Sequence, residues 1–332
     1  MPNYFVLLTI MSNTECWHAH DRDRTIALLS TLTPTEGFTL TALDGVKLMR
    51  WNRAIPRSPV FYEPSIVFVC QGRKIGYLGG EVYQYNPQQF LILSVPLPFE
   101  SETIASAEEP LLAISIRINL SMVSELLLNV AHDAPMNING KSGISSTPLD
   151  MRLSNAVVRL LECLQSRTEA TVLGQAIIRE IHYRILQSSQ AAAILAAHST
   201  HNNMGKIGKA LRLIHAEYAN ELNVDKLAAV SAMSVPSFHA AFRDVTATSP
   251  IQYLKKTRLH KARLLMVQDG LSAISAASQV GYESASQFSR EFKRMFGKSP
   301  MEEVSAVRTA LLTTPSALSE RYAAEKYVTV QQ

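Results

Sequence analysis

Short apolar runs separated by turn residues occupy the first third of the chain after its N-terminal segment. Between residues 38 and 119, runs rich in Val, Ile, Leu, Tyr and Phe alternate with Gln71-Gly72, Gly79-Gly80 and Asn86-Pro87. Glycine reaches positive φ without a Cβ clash, so Gly79-Gly80 between two such runs indicates a β-hairpin. Several short strands at this spacing predict an antiparallel barrel or sandwich.

The following segments have helical periodicity instead. Residues 121–130, 149–165 and 172–186 carry apolar side chains three and four positions apart, and more helices are predicted from Ile207 onward. The fold class predicted is α+β: an N-terminal antiparallel β-barrel or cupin-like sandwich with helices, then an all-α domain. The predicted division is an extension over 1–28, a β-domain over 29–187, an alanine-rich linker over 188–203, a helical domain over 204–308 and a tail over 309–332.

The helical domain contains one pattern twice, at an offset of 50 residues. Each copy has an alanine-rich stretch, a tight turn, two Phe residues four positions apart, and a Ser-Pro pair. The matched residues are Phe238, Phe242 and Ser249-Pro250 in the first copy and Phe288, Phe292 and Ser299-Pro300 in the second. Phe residues four apart lie on one helical face, which anchors that helix to a core.

The turn before each Phe pair has the chemistry of a helix-turn-helix unit. Ser234 and Ser284 stand where an N-cap satisfies free amides of the next helix. Gly281 permits a sharp turn in the second copy. The sequence therefore predicts two helix-turn-helix units, although the copies taken singly also suit three-helix bundles that bind no DNA.

The face opposite each Phe pair is predicted to point outward. It carries His239, Ala240 and Arg243 in the first copy, and Ala285, Ser286, Gln287, Ser289 and Arg290 in the second.

A long helix is predicted between the copies, over residues 251–268, and at 1.5 Å per residue it is about 27 Å long. Successive major-groove faces of B-DNA lie roughly 34 Å apart, so this helix suits two units in neighbouring grooves. Its basic side chains are predicted to be exposed, as phosphate contacts or as a solvated face: Lys255, Lys256, Arg258, Lys261 and Arg263. Further predicted phosphate contacts are Ser234, Ser284, Lys293, Arg294 and Lys298.

The distribution of charge agrees with this assignment. Residues 204–308 hold 15 Lys and Arg against 9 Asp and Glu, whereas the rest of the chain holds 17 against 19. A polyanionic partner is thus expected for the helical domain alone. Three scattered cysteines indicate reduced thiols in a cytoplasmic protein. The apolar run at residues 5–11 is too short to span a bilayer, so no membrane partner is expected.

Neither an enzyme nor a cofactor is predicted. The chain lacks GxSxG, P-loop and GxGxxG patterns, and no His occurs between residues 54 and 117, where a metal-dependent barrel enzyme needs several. Cys16-x-His18-x-His20 has metal-like spacing but offers only three ligands, so no metal site is predicted. Cys70 is either a redox or electrophile sensor or, the favoured interpretation, a buried apolar residue.

Residues Leu227 to Pro300 resemble the double helix-turn-helix domain of the AraC/XylS family of transcription regulators. The shared motifs occur in order: Ser-Pro, Arg-Leu…Ala-Arg, Gly-Tyr-Glu-Ser, Gln-Phe-Ser-Arg-Glu-Phe and Phe-Gly…Ser-Pro. The segments YEPSIVFVCQGRK, LGGEVYQY, LILSVPLP and EEPLLAISIRI resemble the N-terminal domain of AraC-type regulators. The resemblance implies two recognition helices in consecutive major grooves, and an N-terminal domain that binds an effector, mediates self-association, or both.

Carried over by position, the resemblance implies that the outward residues of both helices read bases, and it adds Pro236 and Ser237 to those of the first helix. An arginine such as Arg290 can donate two hydrogen bonds to a guanine edge, and a glutamine such as Gln287 can pair with adenine. Pro236 and Ala240 stand where some family members have larger polar or aromatic side chains. We therefore expect weaker base-specific hydrogen bonding from the first helix, with shape and van der Waals contacts contributing more.

The sequence thus predicts a cytoplasmic, homodimeric transcription regulator. Its expected partners are double-stranded promoter DNA, a small-molecule or redox effector, and RNA polymerase if it activates. Two alternatives stay open: a ligand-binding or catalytic barrel whose helical region only assembles oligomers, and an architectural DNA binder without an effector. The apolar stripe over residues 149–164 is predicted either to dimerise or to pack on its own β-domain.

Overall fold

The computed structural model of the chain describes residues 19–130, 142–188, 194 and 202–313. Its first part comprises α1 (Ala19–Leu32), β1 (Gly37–Leu40), β2 (Val46–Trp51), β3 (Ile55–Tyr62), β4 (Ser65–Gln71), β5 (Arg73–Leu78), β6 (Glu81–Tyr85), β7 (Gln89–Leu93), β8 (Leu97–Ile104), β9 (Leu111–Arg117), α2 (Leu120–Val130), β10 (Ile144–Pro148), α3 (Met151–Cys163) and α4 (Arg167–Leu186). Its second part comprises α5 (Asn203–Glu217), α6 (Val224–Val230), α7 (Val235–Thr246), α8 (Pro250–Gln268), α9 (Ala273–Gln279), α10 (Ala285–Phe296) and α11 (Pro300–Thr313).

The strands form two antiparallel sheets. One has six strands in the order β1-β2-β9-β4-β7-β10, and the other has four in the order β3-β8-β5-β6. Gly79 and Gly80 have positive φ in the turn that joins β5 to β6, so the predicted hairpin is confirmed. Of the two predicted architectures, the sandwich is correct, since the described strands form no closed barrel.

The six-stranded sheet is buried on both faces. In β4, Ile66 and Phe68 pack with the helices α1 to α4, while Val67 and Val69 face the four-stranded sheet. A strand covered on both sides needs apolar residues at every position, which is why β4 reads as a continuous apolar run without alternation. The N-terminal domain is therefore a three-layer structure of helices, sheet and sheet.

Helix α3 contributes the wide apolar stripe predicted at residues 149–164. Its side chains Val157, Leu160 and Leu161 are buried in the same cluster as the helix-facing side of the six-stranded sheet. Asp150 caps the helix by accepting a hydrogen bond from the amide of Leu153 at 2.8 Å. The stripe thus packs on its own β-domain, the second of the two predicted alternatives.

Helix α8 belongs to the cores of both helix-turn-helix units. Tyr253 and Leu254, in its first turns, are buried with the residues of the first unit. Leu259 and Met266, further along, are buried with those of the second unit. One continuous helix therefore links the two units as predicted.

Two basic residues of α8 were expected at the surface, and that expectation is wrong. Lys261 and Arg263 are only 7% and 8% exposed. The Arg263 guanidinium donates to the carboxylate of Glu303 in α11 at 2.8 Å, and the Lys261 ammonium lies 5.7 Å from the ring centre of Tyr218. Partners inside the helical domain compensate the cost of burying these charges.

The sandwich and the helical domain share an apolar cluster. Its members come from the inner faces of both sheets and from α5, α6, α7 and α8. Polar contacts cross the same boundary: the amide of Gly143 donates to the carbonyl of Val245 at 3.1 Å, and the Tyr253 hydroxyl donates to the carbonyl of Pro96 at 2.8 Å. The first helix-turn-helix unit is thus packed directly on the sandwich.

Some predicted boundaries do not coincide with the ends of elements. Helix α1 is continuous across residue 28, where Leu28 and Leu29 are buried under the six-stranded sheet, and α11 runs to Thr313. The apolar run at residues 5–11, Cys16, His18 and nearly all of the predicted linker lie outside the described residues. No helix in the described part of the chain has the length and apolar character to cross a membrane.

Two histidines lie at the boundary between the domains, where His260 is buried and His215 is half-buried. His215 donates its Nε2 hydrogen to the Tyr253 hydroxyl at 2.9 Å, whereas neither ring nitrogen of His260 has a hydrogen-bond partner among the described residues. Burial, with smaller contributions from nearby cationic side chains, lowers the pKa of each to about 3. Both imidazoles are therefore neutral throughout the physiological range.

We expect the free energy of unfolding to decrease as pH falls from 7 to 5, because the imidazoles of the unfolded chain take up protons that the folded ones cannot bind. Replacing His260 by Phe should make this dependence shallower and raise stability at pH 7 by about 1 kcal/mol, since a buried unsatisfied polar group is removed. Chemical denaturation at several pH values measures both effects, with wild type as the reference. An unchanged pH dependence in H260F would contradict the assignment.

Candidate nucleic-acid interface

The first predicted recognition helix is α7, and its Phe residues point inward as expected. Phe238 and Phe242 are fully buried, and their ring centres lie 5.4 Å apart. Pro236 stands in the first turn, where its missing N–H has no intrahelical partner to lose. Of the predicted base-reading residues, His239 is half-buried, and four are exposed: Pro236, Ser237, Ala240 and Arg243.

The second recognition helix, α10, repeats this arrangement with greater amphipathicity. Phe288 and Phe292 are fully buried, with ring centres 5.5 Å apart. On the opposite face Ser289 is half-buried, and four predicted base-reading residues are exposed: Ala285, Ser286, Gln287 and Arg290. Both helices therefore present small and polar side chains, while their aromatic sides hold them to the core.

Both predicted N-cap serines occupy the cap position, but they use their hydroxyls differently. Ser284 accepts a hydrogen bond from the amide of Gln287 at 3.2 Å. Ser234 makes no such bond to the backbone, and its hydroxyl instead donates to that of Ser237 at 3.0 Å. Both residues are exposed, so their hydroxyls face the surface that carries the base-reading positions.

The guanidinium groups of Arg243 and Arg290 are unengaged. Both side chains are exposed, and neither has a hydrogen-bond or ion-pair partner in the described part of the chain. Gln287 is less free, because its amide donates to the carboxylate of Glu291 at 3.2 Å. The two arginines are thus the strongest hydrogen-bond donors available on the recognition surface.

Arg258, predicted as a phosphate contact, is used within the protein. From the middle of α8 its guanidinium donates to the carbonyls of Tyr218 at 2.7 Å, Asn220 at 2.9 Å and Gly281 at 2.9 Å. Tyr218 and Asn220 lie in the turn before α6, and Gly281 lies in the turn of the second unit. One side chain therefore ties the two helix-turn-helix units together through three charge-assisted bonds.

The other lysines predicted on α8 are also drawn toward the protein. Lys255 pairs with Glu291 at 2.8 Å. Lys256 is half-buried beside the sandwich, and burial lowers its pKa while Glu100 opposes that effect. The predicted phosphate contacts on α10 and in the loop after it differ, because Lys293, Arg294 and Lys298 are all exposed.

Glu291 holds neighbouring side chains of this surface in place, and the sequence pattern did not single it out. Although burial raises its pKa, hydrogen bonds from Lys255, Tyr282 and Gln287 outweigh this and lower it, so the carboxylate is charged. It lies at the junction of α8, the turn of the second unit and α10. Its helical spacing from Gln287 was visible in the sequence, but its contact with Lys255 spans 36 residues and depends on the tertiary fold.

The turn at Gly281 in the second unit also packs closely against the turn at Ala219 that precedes α6. Gly281 has φ +84°, and a Cβ at this position would lie 2.2 Å from the carbonyl oxygen of Ala219. The turn of the second unit therefore fits against the backbone of the first unit only because residue 281 has no side chain. The sequence indicated the sharp turn but not this second requirement.

A separate cavity of about 380 Å³ lies between the two sheets of the sandwich, within the range of small-molecule pockets, roughly 300–1,000 Å³. Its walls include Trp51, Val60 and Tyr62, together with the buried Lys74. Sequence reasoning could not name these residues, because a register error of one residue turns every side chain to the other face.

Cys70, the candidate sensor, lies away from this cavity. Its side chain is 1% exposed on the helix-facing side of the six-stranded sheet. Burial raises the pKa of the thiol to about 12, so the reactive thiolate is absent at neutral pH. The interpretation of Cys70 as a buried apolar residue is the one that this environment favours.

A sandwich joined to two helix-turn-helix units defines a class of two-domain DNA-binding regulator, and comparisons with known proteins identify the family. Residues 42–193 match the family described as AraC-type transcriptional regulator N-terminus, and residues 227–304 match the helix-turn-helix domain family. The chain belongs to the AraC/XylS family of transcription regulators, as its motifs indicated.

Curated relatives agree over shorter stretches. The RCS-specific HTH-type transcriptional activator RclR of Escherichia coli (strain K12) is 40% identical over 85 residues, which are 26% of this chain and 30% of that protein. The HTH-type transcriptional activator RhaS of Klebsiella pneumoniae (strain 342) is 27% identical over 146 residues, 44% of this chain and 51% of that protein. The matches thus span about a third to a half of these relatives.

The architecture has a counterpart among solved structures. The unsaturated-fatty-acid-bound structure of ToxT from Vibrio cholerae strain SCE256 aligns with a TM-score of 0.55 and 13% identity, covering 78% of this chain and 94% of that one. The structure of ToxT from Vibrio cholerae O395 aligns with a TM-score of 0.51 and 12% identity, covering 78% and 96%. At this identity the likeness shows the shared fold.

Replacing Gly281 by Ala should lower the free energy of unfolding by about 3 kcal/mol, because the Cβ adds a backbone clash to the cost of a left-handed conformation, which alone is roughly 1–2 kcal/mol. Gly297→Ala is the matched control, since Gly297 has φ +75° but a Cβ there meets nothing within 4 Å. Urea denaturation measures both variants. Equal losses would show that the contact with Ala219 is unimportant.

Proposed function

We propose that this protein regulates transcription by inserting α7 and α10 into consecutive major grooves of promoter DNA, under the control of a small molecule bound in the sandwich. The observation that carries the proposal is the paired exposure of Arg243 and Arg290 on helices whose aromatic sides are buried. Family membership supports three further parts of the proposal: a cytoplasmic location, homodimerisation and, for an activator, contact with RNA polymerase.

Base reading is assigned chiefly to the two free arginines. Arg290, and Arg243 on the first helix, can each donate two hydrogen bonds to a guanine edge. Pro236, Ser237 and Ala240 supply shape and van der Waals contact. On α10, Ala285, Ser286 and Ser289 do the same, with Gln287 donating to adenine when it leaves Glu291.

Phosphate contacts are assigned to residues that the protein leaves available. Lys293, Arg294 and Lys298 stand at the C-terminal end of α10 and in the following loop, and Ser234 and Ser284 are exposed at the N-termini of the recognition helices. Helix N-termini and lysine or arginine side chains are the usual partners of phosphate oxygens. Arg258 and Lys255 are left out because the protein already engages them.

Phe61 connects the sandwich cavity with the helical domain. It lies on β3 and lines the cavity, and its ring centre is 5.3 Å from that of His215 and 5.8 Å from that of His260. His260 in turn lies 5.3 Å from the ring of Phe296, the last residue of α10. A ligand that shifts β3 therefore acts on packed rings that reach both helix-turn-helix units.

Replacing Arg290 by Ala should weaken binding to the preferred duplex by about 1–3 kcal/mol and relax selectivity at one guanine. Lys298→Ala is the contrasting variant: it should weaken binding to all duplexes alike and make the dependence on salt less steep. Selection from random duplexes, followed by titrations at several salt concentrations, measures both. Binding without sequence preference favours the architectural role, and no salt-dependent binding favours the ligand-binding protein with an assembly domain.

The link through Phe61 predicts a coupling energy. In a double-mutant cycle of Phe61→Leu and His260→Leu, we expect about 0.5–1.5 kcal/mol of stabilising interaction, because paired rings contribute beyond their buried area. Tyr62→Leu with His260→Leu is the control, since the Tyr62 ring packs on Phe99 within the sandwich. Denaturant unfolding measures each cycle. Additive effects in the Phe61 cycle would show that Phe61 and His260 do not interact, which would contradict the proposed coupling between the domains.

A further inference from the structure

The polar side of the sandwich cavity is built by three neighbouring strands. Strand β8 lies between β3 and β5, and its Ser101 is paired in register with Ser58, while its Thr103 is paired with Lys74. Lys74, Ser101 and Thr103 are 5%, 4% and 2% exposed. All four side chains line the cavity, so one wall offers an ammonium and three hydroxyl groups.

The ammonium of Lys74 makes fewer hydrogen bonds within the described protein than it can donate. Its one hydrogen bond among the described residues is to the hydroxyl of Thr103, at 3.2 Å, and no carboxylate there lies within ion-pair distance. An ammonium can donate three hydrogen bonds. A buried charge that lacks a counterion is costly, so such lysines are rare unless something pairs with them.

The hydroxyl of Ser58 is also unsatisfied. Its oxygen is buried, and it has no hydrogen-bond partner in the described part of the chain. Ser101 differs, because its hydroxyl lies 3.2 Å from that of the buried Tyr85. Two groups on the same wall, one cationic and one neutral, thus have unused hydrogen-bonding capacity directed at the cavity.

The opposite wall is apolar. It comes from the inner face of the six-stranded sheet and carries Met49, Trp51 and Val67, beside the ring of Phe38. The rings of Phe38 and Trp51 meet edge to face, with centres 6.1 Å apart. Such a wall suits an apolar or aromatic body and contributes no counterion for Lys74.

The other charges around the cavity are differently placed. Arg117 forms an ion pair with Asp44, whose side chain is 75% exposed. Lys47 and Glu63, which also line the cavity, are half-buried. Lys74 is therefore the buried cation of the site, and its single positive charge matches a monoanion.

We propose that the effector of this protein is an organic monocarboxylate with a compact apolar body, bound between the sheets with its carboxylate on Lys74. The Ser58 hydroxyl donates a further hydrogen bond to the carboxylate, and the apolar body packs on Trp51 and its neighbours. This assignment of ligand class rests on the proposed function, because it identifies what the sandwich cavity senses.

The test measures binding to the full chain by titration calorimetry, with matched probes. The probes are straight-chain, branched and aryl monocarboxylates from butanoate to decanoate and phenylacetate, each compared with its neutral primary amide. At least one carboxylate should bind, and its amide should bind about ten- to hundredfold more weakly, because a charge-assisted bond is lost.

Two variants localise the anion. Lys74→Met should weaken the binding carboxylate by about ten- to hundredfold and leave the binding of its amide nearly unchanged. Arg73→Met is the matched control: it removes the same charge from the adjacent position of β5, but its side chain is exposed and does not line the cavity. It should bind the carboxylate as wild type does.

Thermal denaturation checks the folding of the same variants. Without ligand, Lys74→Met should melt at or above the wild-type temperature, because it replaces a buried charge by an apolar side chain of similar length. A bound carboxylate should raise the melting temperature of wild type and of Arg73→Met but not of Lys74→Met.

Failure of this inference is distinguishable from failure of the proposed function. Equal affinity for carboxylate and amide, equal weakening in both variants, or no binding by any probe overturns the monocarboxylate assignment, whatever the DNA titrations show. Absence of sequence-specific DNA binding overturns the regulator proposal, and calorimetric binding that depends on Lys74 would still stand.

Discussion

The sharing of α8 between two cores is the constraint on which the rest of this structure depends. The first turns of α8 are buried with one helix-turn-helix unit and its later turns with the other. The helix therefore cannot rotate relative to one unit without also moving in the core of the other. Arg258 adds three bonds to carbonyls of both units, and Gly281 lets their turns touch. The spacing of the two recognition helices is therefore a property of the packed core, which a duplex meets preformed.

The sandwich takes part in that core as well. Its inner faces and the helices of the first unit form one apolar cluster, and the rings of Phe61, His215 and His260 meet at the same boundary. A packed interface tends to switch between two discrete arrangements and does not deform continuously. A change of packing in the cavity is thus in direct contact with the elements that set the recognition helices, which is the physical requirement for control by a ligand.

The basic residues of the helical domain fall into two groups, those left free on the recognition surface and those held by other parts of the protein. The arginines of the recognition surface, Arg243 and Arg290, have no protein partners in the described structure, whereas Arg258, Lys261 and Arg263 are held by carbonyls, a ring and a carboxylate. A count of basic residues in the helical domain does not separate these groups. Local environment does, because a guanidinium that already donates to three carbonyls has little left to offer a phosphate.

The sequence by itself determined the local parts: the hairpin at Gly79-Gly80, the paired Phe residues, and the outward faces of α7 and α10. These follow from glycine conformation and from periodicity, which act over a few residues. Only the tertiary structure decided that the β-domain is a sandwich and not a barrel. It also decided that Lys261 and Arg263 are buried, that Arg258 binds carbonyls of the protein, and that Lys74 lines a cavity. Each of these depends on strand register or on contacts between distant segments, and neither is encoded in the spacing of neighbouring residues.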